Sequence, residues 1–353
     1  MNELTYETRL LSTAQMQTSL CHLLNIELPI IQAPIGSATC PALVAAVSNA
    51  GGLGMFAMSW RHTDEIQRMI RETHLLTDHP FGINLVLAWQ QLERLEVCLK
   101  EGVKIISFSW GDPTPYVDIA HSAGAIVIQT VSSVAEAKQA IAAGVDIIVA
   151  QGWEAGGHVQ GQVTTFSLLP KVVDTVHPTP VVAAGGIADG RGIVAALALG
   201  ASGVWIGTRF LASVEAAVHR LYKEKLLQAT ESDTFYSCLF NIGWKDAPHR
   251  VIRNSTVIQW ESADCPPIPQ RPGEGEVVAE KADGTPIIRY SDVMPLPTMT
   301  GNLESLALYT GQSVGLVSQI QPAGEIVRQL AFEARSVSIS LRIYEGSTPV
   351  ETG

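Results

Sequence analysis

The alternation of short apolar runs with helix-like stretches constrains the fold of this chain more than any other feature of its sequence. Eight such runs follow one another at fairly even spacing: residues 29–34, 53–58, 81–87, 104–110, 125–131, 146–151, 180–185 and 203–208. Nearly unbroken apolar runs are typical of parallel strands that are covered on both faces. Eight consecutive strand–helix units predict an α/β fold, a closed (β/α)8 or TIM barrel, with its functional residues at the C-terminal ends of the strands.

An open, doubly wound dinucleotide-binding sheet is the alternative architecture. Its fingerprint places a glycine-rich turn directly after an early strand. Here the cluster of Gly51, Gly52 and Gly54 comes before a predicted strand instead. The stretch between two later strands, residues 134–143, carries helix signals at both ends, with Ser133 as a candidate N-cap and Gly144 after its last residue. The sequence therefore favours the barrel.

Composition narrows the function. The chain has 353 residues, is 46% hydrophobic and carries a formal net charge of −11. A strongly acidic surface repels phosphate backbones and anionic lipids, which argues against nucleic-acid or membrane binding. The five cysteines form no Cys-x-x-Cys pair, and the first residues lack the layout of a signal peptide. These features predict a cytoplasmic protein without disulfide bonds.

The texture of the sequence changes after residue 230. Residues 231–301 are rich in proline, glycine and charge, which predicts an irregular insertion packed on the barrel. Residues 302–335 return to a helical pattern, so the barrel is predicted to comprise residues 1–230 and 302–335, closed by C-terminal helices. In the tail, residues 336–353, apolar side chains alternate at Val337, Ile339, Leu341 and Ile343 and predict an additional strand.

A glycine-rich loop that ends in a histidine follows the sixth predicted strand. Residues 150–158 contain Gly152, Gly156 and Gly157 and end at His158. Glycines let the backbone approach a ligand closely, and a histidine transfers protons near neutral pH. A tight turn with a solvated histidine is the alternative for this loop taken alone. Glu154 is a candidate to orient His158.

The seventh and eighth predicted strands end in loops that expose backbone N–H groups, at Gly185 and Gly186 and at Gly207 and Thr208. In barrels these two loops commonly form a phosphate site, whereas close helix–strand packing by glycine is the alternative. Because the chain has no Gly-Lys-Ser/Thr motif, the phosphate is expected to belong to a cofactor rather than to a hydrolysed nucleotide.

Polar side chains at other strand ends fit a flavin ring. Asn84, Gln129 and Gln151 are predicted at C-terminal strand ends, where their amides can hydrogen bond to a heteroaromatic ring, and Ala33 and Pro34 can border it. Trp110 and Trp153 are candidates for the pocket wall. The histidines show no metal-ligand spacing, so no metal site is expected. Together with the phosphate loops and His158, this set predicts FMN as the cofactor.

Six segments together carry a resemblance to a known family, and they occur in this order: QAPIG, PFGIN, AQGWEAGGH, AAGGIADGRGI, IGTRF and YTGQSVGL. Over roughly residues 25–335 the chain resembles the nitronate monooxygenase family, formerly called 2-nitropropane dioxygenases. The resemblance implies a TIM barrel with noncovalently bound FMN and His158 as the catalytic residue. It implies flavin contacts from Ala33, Pro34, Ile35, Asn84, Gln129, Gln151 and Gly156. It also implies a phosphate site at Gly185, Gly186, Gly207 and Thr208, with Gln312 and Ser313 closing the pocket.

The activity implied by this resemblance is oxidation of alkyl nitronates, and of nitroalkanes where these are accepted, by O2 through a flavin semiquinone. The products are a carbonyl compound and nitrite. The expected partners are the nitronate and O2, with a homodimer as the candidate assembly. Two alternatives stay open: an NAD(P)H-dependent reductase of quinones or enoyl thioesters on the same barrel, and a non-catalytic barrel that binds a phosphosugar.

Overall fold

A parallel barrel forms the centre of the protein. The computed structural model describes residues 16–345. Its barrel strands are β1 (Ile30–Gln32), β2 (Gly54–Ala57), β3 (Phe81–Val86), β4 (Ile105–Ser109), β5 (Ile126–Val131), β6 (Ile147–Gln151), β8 (Val181–Ala184) and β9 (Gly203–Ile206); the short β7 (Gly157–His158) belongs to another sheet. The strands pair in parallel in the order β1-β9-β8-β6-β5-β4-β3-β2, and a parallel bridge between Ile31 and Leu53 joins the two ends. The predicted (β/α)8 barrel is confirmed.

Helices surround this barrel and return the chain from one strand to the next. They are Ser19–Leu24, Pro41–Asn49, Thr63–Leu76, Leu92–Lys100, Thr114–Ser122, Val134–Ala142, Thr165–Val176, Gly190–Ala198, Thr208–Leu211, Arg220–Gln228, Ser255–Ser262 and Ala323–Glu345. The predicted cap is present, since the Ser133 hydroxyl accepts a hydrogen bond from the Glu136 N–H. Gly144 follows with a φ of +91°, a conformation that favours glycine. Within the described residues, no helix is long and apolar enough to cross a membrane.

Two apolar layers follow from the two-residue period of the strands. One set of side chains fills the barrel interior: Ile31, Met55, Ile105, Ile128, Ile147, Val149, Val182 and Trp205. Leu20 and Leu24, from the first described helix, belong to the same cluster. The alternate set packs outward against the helices. This alternation decides which side chains at the C-terminal strand ends face inward.

Residues 231–301 contain more regular structure than their composition predicted. They form β10 (Thr234–Ser237), β11 (His249–Ile252), β12 (Val277–Glu280), β13 (Pro286–Ile288) and β14 (Thr300–Gly301), along with the helix Ser255–Ser262. β11 pairs antiparallel with both β10 and the distant β7. Much of the segment is irregular, as its composition predicted, but local composition carries no signal for this long-range strand pairing.

The C-terminal region also differs from the prediction. Most of residues 302–322 are irregular, with 3-10 turns at Leu303–Ser305 and Gln312–Leu316. The helix Ala323–Glu345 then runs through the residues predicted as a strand, because no glycine or proline interrupts the helical stripe of buried Ile326, Val327 and Leu330. The rest of the predicted tail, residues 346–353, lies outside the described residues.

Candidate active site

A cavity of about 550 Å³ lies at the C-terminal ends of the barrel strands. Each barrel strand contributes at least one wall residue within two positions of its C-terminal end, from the inward-facing series: Ala33, Ala57, Asn84, Ser109, Thr130, Gln151, Ala184 and Gly207. Cofactor and ligand sites typically measure roughly 300–1,000 Å³. The cavity therefore has the position and the size expected for a functional site of this fold.

Most of the predicted site residues meet at this cavity. Its walls include Ala33, Pro34, Ile35, Asn84, Gln151, Gly156, His158, Gly185, Gly186, Gly207, Thr208 and Ser313. Gln129 is not a wall residue, because it lies one position off the inward-facing series, which Thr130 occupies instead. Its amide nitrogen is 3.3 Å from the Gly111 carbonyl oxygen. Gln312 is also outside the wall, and its backbone N–H donates to the Glu154 carbonyl.

The loops after β8 and β9 present unpaired backbone donors to the cavity. Gly185 and Gly186 have φ values of +104° and +74°, which L-residues rarely adopt. The N–H groups of Gly186, Gly207 and Thr208 have no acceptor among the described residues. Bare N–H groups on two adjacent loops suit the oxygens of a phosphate, so the wall fits the phosphate end of a mononucleotide.

Glu154 anchors this region rather than orienting His158. Both of its carboxylate oxygens lie 3.0 Å from the Thr165 backbone nitrogen, which donates to them. The Thr165 hydroxyl in turn donates to the carbonyls of Ala184 and Gly185, at 3.1 Å each. These bonds hold the glycine-rich loop against the end of β8.

Long-range strand pairing positions His158. In the ladder between β7 and β11, His158 lies opposite His249 and Gly157 opposite Arg250. The Arg250 guanidinium donates to the Trp153 carbonyl at 2.9 Å and lies 4.6 Å from the centroid of the Trp153 ring. Trp153 therefore packs against Arg250 and is not part of the cavity wall. Trp110, in contrast, is a wall residue.

Aromatic rings enclose the His158 imidazole. The ring centroids of Trp244, Tyr309 and Trp110 lie 4.3, 5.3 and 6.2 Å from its centroid. Its Nε2 is buried and has no hydrogen-bond partner among residues 16–345. Burial, reinforced by the proximity of His249, lowers the pKa of His158 to about 3. The imidazole is therefore neutral at physiological pH and retains unused hydrogen-bonding capacity.

The neighbouring His249 is fully buried, and both of its ring nitrogens are engaged. Its Nε2 accepts a hydrogen bond from the Phe240 N–H at 3.2 Å, so Nδ1 carries the proton and donates to the Ala247 carbonyl at 2.9 Å. Burial lowers its pKa as well. No local sequence pattern distinguishes His249 from the other histidines, because only folding brings β11 to β7.

No sequence motif identified several of the wall residues. Trp244, Lys281 and Asp292 come from residues 231–301, where no motif marks them. Tyr309 lies within the YTGQSVGL segment, and its hydroxyl donates to the Asp292 carbonyl at 2.9 Å. Burial raises the pKa of the Asp292 carboxyl to about 6. Among the described residues, no group of three or more His, Cys, Asp or Glu side chains could hold a metal ion.

These features define an α/β-barrel protein with a cofactor-sized cavity at the C-terminal ends of its barrel strands. Comparison with known proteins gives the family. The family model for nitronate monooxygenase matches residues 17–93 and 87–333, and the chain belongs to this family.

Relatives with several names share the sequence and the fold. A probable nitronate monooxygenase of Staphylococcus saprophyticus is 32% identical over an alignment of 370 positions, which covers 92% of this chain and 99% of that protein. A (3aS,4S,5R,7aS)-5-hydroxy-7a-methyl-1-oxo-octahydro-1H-indene-4-carboxyl-CoA dehydrogenase of Mycobacterium tuberculosis is 38% identical and covers 70% of this chain and 69% of that protein.

Among solved structures, FabK from Thermotoga maritima superposes with a TM-score of 0.80 at 36% identity and covers 93% of this chain and 99% of that one. Nitroalkane oxidase from Streptomyces ansochromogenes gives a TM-score of 0.73 at 27% identity, with coverage of 91% and 99%. These matches support an oxidoreductase, while the differing names leave its substrate to be argued from the site.

Proposed function

We propose that this protein is an FMN-dependent enzyme that oxidises alkyl nitronates with O2 to a carbonyl compound and nitrite. The observation that carries this proposal is the His158 imidazole, which lines the cavity with a neutral ring and a buried, unpartnered Nε2. A buried polar group without a partner is costly, and a substrate oxygen that pairs with the imidazole would remove this cost.

The cavity walls divide into two regions that suit the two ends of FMN. Gly185, Gly186, Gly207 and Thr208 would hold the phosphate, and the wall at Ala33, Pro34, Ile35, Asn84, Gln151 and Gly156 would border the ring. Ser313 would close the pocket. The bound flavin would supply the electron transfer that couples oxidation of the substrate to reduction of O2. For Gln129 and Gln312, a direct contact stays a prediction without support from their positions.

His158 would act on the substrate as a hydrogen-bond donor. A neutral imidazole carries one N–H, which can donate to an oxygen of an anionic nitronate, and the anion in turn favours the protonated ring. A group with a pKa of about 3 is a weak proton acceptor. This property favours the preformed nitronate, which has already lost its proton, over the neutral nitroalkane.

The aromatic rings around His158 would exclude water from this contact. Trp110, Trp244 and Tyr309 all line the cavity and surround the imidazole. Hydrogen bonds to a charged group are stronger where water is absent, because the local dielectric constant is low.

The purified protein tests the proposal directly. We expect a yellow protein that releases FMN on denaturation, consumes O2 with ethylnitronate and forms nitrite. A protein that contains FMN but forms no nitrite from any nitronate would contradict the proposed reaction. A colourless protein that binds no flavin would instead favour the non-catalytic, phosphosugar-binding alternative.

A second candidate function is NAD(P)H-dependent reduction of an enoyl thioester. Sequence identity favours it, since the matches to the CoA-ester dehydrogenase and to FabK reach 38% and 36%, against 32% for the nitronate monooxygenase above. Anaerobic mixing separates the two candidates. Bleaching of the flavin by NADH or NADPH, with no response to ethylnitronate, would favour the reductase.

A further inference from the structure

The mouth of the cavity combines exposed indole rings with one cationic side chain. Trp60 and Trp89 are 48% and 40% exposed, although both line the cavity. The Trp89 ring centroid lies 4.8 Å from that of Trp244, which in turn lies 4.3 Å from the His158 ring. A continuous aromatic surface therefore leads from solvent to the imidazole.

Lys281 is the one lysine or arginine among the described residues that line this cavity. It begins the turn between β12 and β13, where its N–H donates to the Thr285 carbonyl and its own carbonyl accepts from the Gly284 N–H, both at 2.9 Å. Its side chain forms no ion pair with another described residue. The turn thus carries a lysine without an ion pair at the mouth, although Asp283 of the same turn is close enough for Lys281 to help lower its pKa.

Lys281 is a cation in a chain whose overall charge is negative. A protein with a formal net charge of −11 repels anions on average. Among the described wall residues, His158 is neutral and Asp292 is an acid, so Lys281 is the one positively charged side chain. Exposed indoles bind flat rings by stacking, and Lys281 attracts a negative group on such a ring.

We propose that Trp60, Trp89, Trp244 and Lys281 form a specificity subsite for a planar ring that carries an anionic group. The inference rests on the proposed function in one respect, that the group delivered to His158 is a nitronate. The subsite selects substrates in which an aromatic or similarly flat ring is attached to the reacting carbon and bears a carboxylate or comparable anion at its far side.

Inert probes test the subsite without any turnover. Benzoate carries both ring and charge, benzamide carries the ring alone, and propionate carries the charge alone. Titration of the flavin-loaded protein, followed by flavin absorbance and calorimetry, should give benzoate an affinity about three-fold above benzamide and about ten-fold above propionate. Added salt should weaken benzoate and leave benzamide unchanged.

Two variants separate the ring from the charge. Lys281→Met keeps the aliphatic stem and should reduce benzoate affinity to that of benzamide. Trp244→Leu should lower the affinity for both aromatic probes by a similar factor and leave the affinity for propionate unchanged. Lys245→Met is the matched control, since Lys245 neighbours Trp244, lies outside the cavity wall and contacts only Asp246 among charged groups, at 4.0 Å.

Two results would overturn the subsite. One is wild-type affinity for propionate equal to that for benzoate, and the other is a benzoate preference that survives Lys281→Met. Nitronates of phenylnitromethane and of 4-(nitromethyl)benzoate then extend the test to turnover. If the probes bind selectively but no nitronate is oxidised, the subsite stands and the proposed reaction fails.

Discussion

The environment of His158 determines its charge and links it to stability. A histidine in an unfolded chain has a pKa near 6.5, whereas burial among Trp244 and Tyr309 lowers the pKa of His158 to about 3 in the folded protein. The unfolded state therefore binds a proton at a pH where the folded state does not. The contribution of neutral His158 to the free energy of unfolding is therefore fully present above about pH 6.5. It is lost progressively as the pH falls towards 3.

Replacement of this imidazole should flatten the acid side of the stability profile. His158→Asn should remove a loss on the order of 2 kcal/mol between pH 6.5 and pH 5. Denaturant unfolding of the flavin-loaded protein at several pH values measures this change in the free energy of unfolding. The exposed His62→Asn should keep the wild-type slope; a His158→Asn slope equal to wild type would mean that the folded protein already protonates His158.

Substitutions at Gly186 test the proposed phosphate site. Gly186 has a φ of +74°, so any side chain there introduces strain, and its Cβ would lie 3.2 Å from the Glu154 side chain. Gly186→Ala therefore serves as the strain control for Gly186→Asp. The aspartate also places a negative charge beside the proposed phosphate, and we expect it to bind FMN at least about ten-fold more weakly than the alanine variant. Equal affinities by flavin fluorescence titration would argue against a phosphate at this loop.

Among the secondary-structure elements, a small sheet built partly from residues 231–301 positions the loop that carries His158. β11 pairs with β7 and so places His158, while Arg250 on the same strand donates to the Trp153 carbonyl at 2.9 Å. Residues 231–301 therefore help to position His158 at the site. Its removal would leave β7 without the strand that it pairs with.

Arg250→Met tests this support. The variant keeps an apolar side chain but leaves the Trp153 carbonyl without its donor, and we expect a loss of about 1–3 kcal/mol in unfolding free energy. Amide hydrogen exchange should also accelerate at Gly157 and His158. Arg253 lies just beyond β11, half exposed and paired with Glu261. Arg253→Met should change stability by less than about 0.5 kcal/mol. Similar losses in both variants would show that Arg250 has no special role.

The predictable elements were those defined by local sequence. The predicted run at residues 125–131 coincides with β5 (Ile126–Val131) to within one residue, because glycine and polar residues bound an apolar segment that is buried on both faces. The inward face was harder to assign, as Gln129 and Thr130 show, since one residue of register exchanges the two faces of a strand. The pairing of β7 with β11 joins residues about 90 positions apart and left no local pattern.

Across the protein as a whole, the barrel supplies the wall proposed to hold the cofactor, and the later segments supply aromatic residues that cover it. The sequence motifs predicted the first contribution, since most of the proposed flavin contacts lie in the cavity wall. Trp244, Lys281 and Asp292 come from the second, and they distinguish this cavity from a bare barrel. Substrate choice is therefore expected to depend on residues 231–301 more than on the family motifs.

The role proposed for neutral His158 is to donate a hydrogen bond to a preformed nitronate. The most direct test is kcat/KM for ethylnitronate and for neutral nitroethane, measured by O2 consumption and nitrite formation for wild type and His158→Asn. We predict that wild type strongly prefers ethylnitronate. We also predict that His158→Asn lowers kcat/KM for ethylnitronate by about 10- to 100-fold, the value of a hydrogen bond to a charged group, with FMN content unchanged. A preference for nitroethane, or full ethylnitronate activity in His158→Asn, would contradict this role of His158.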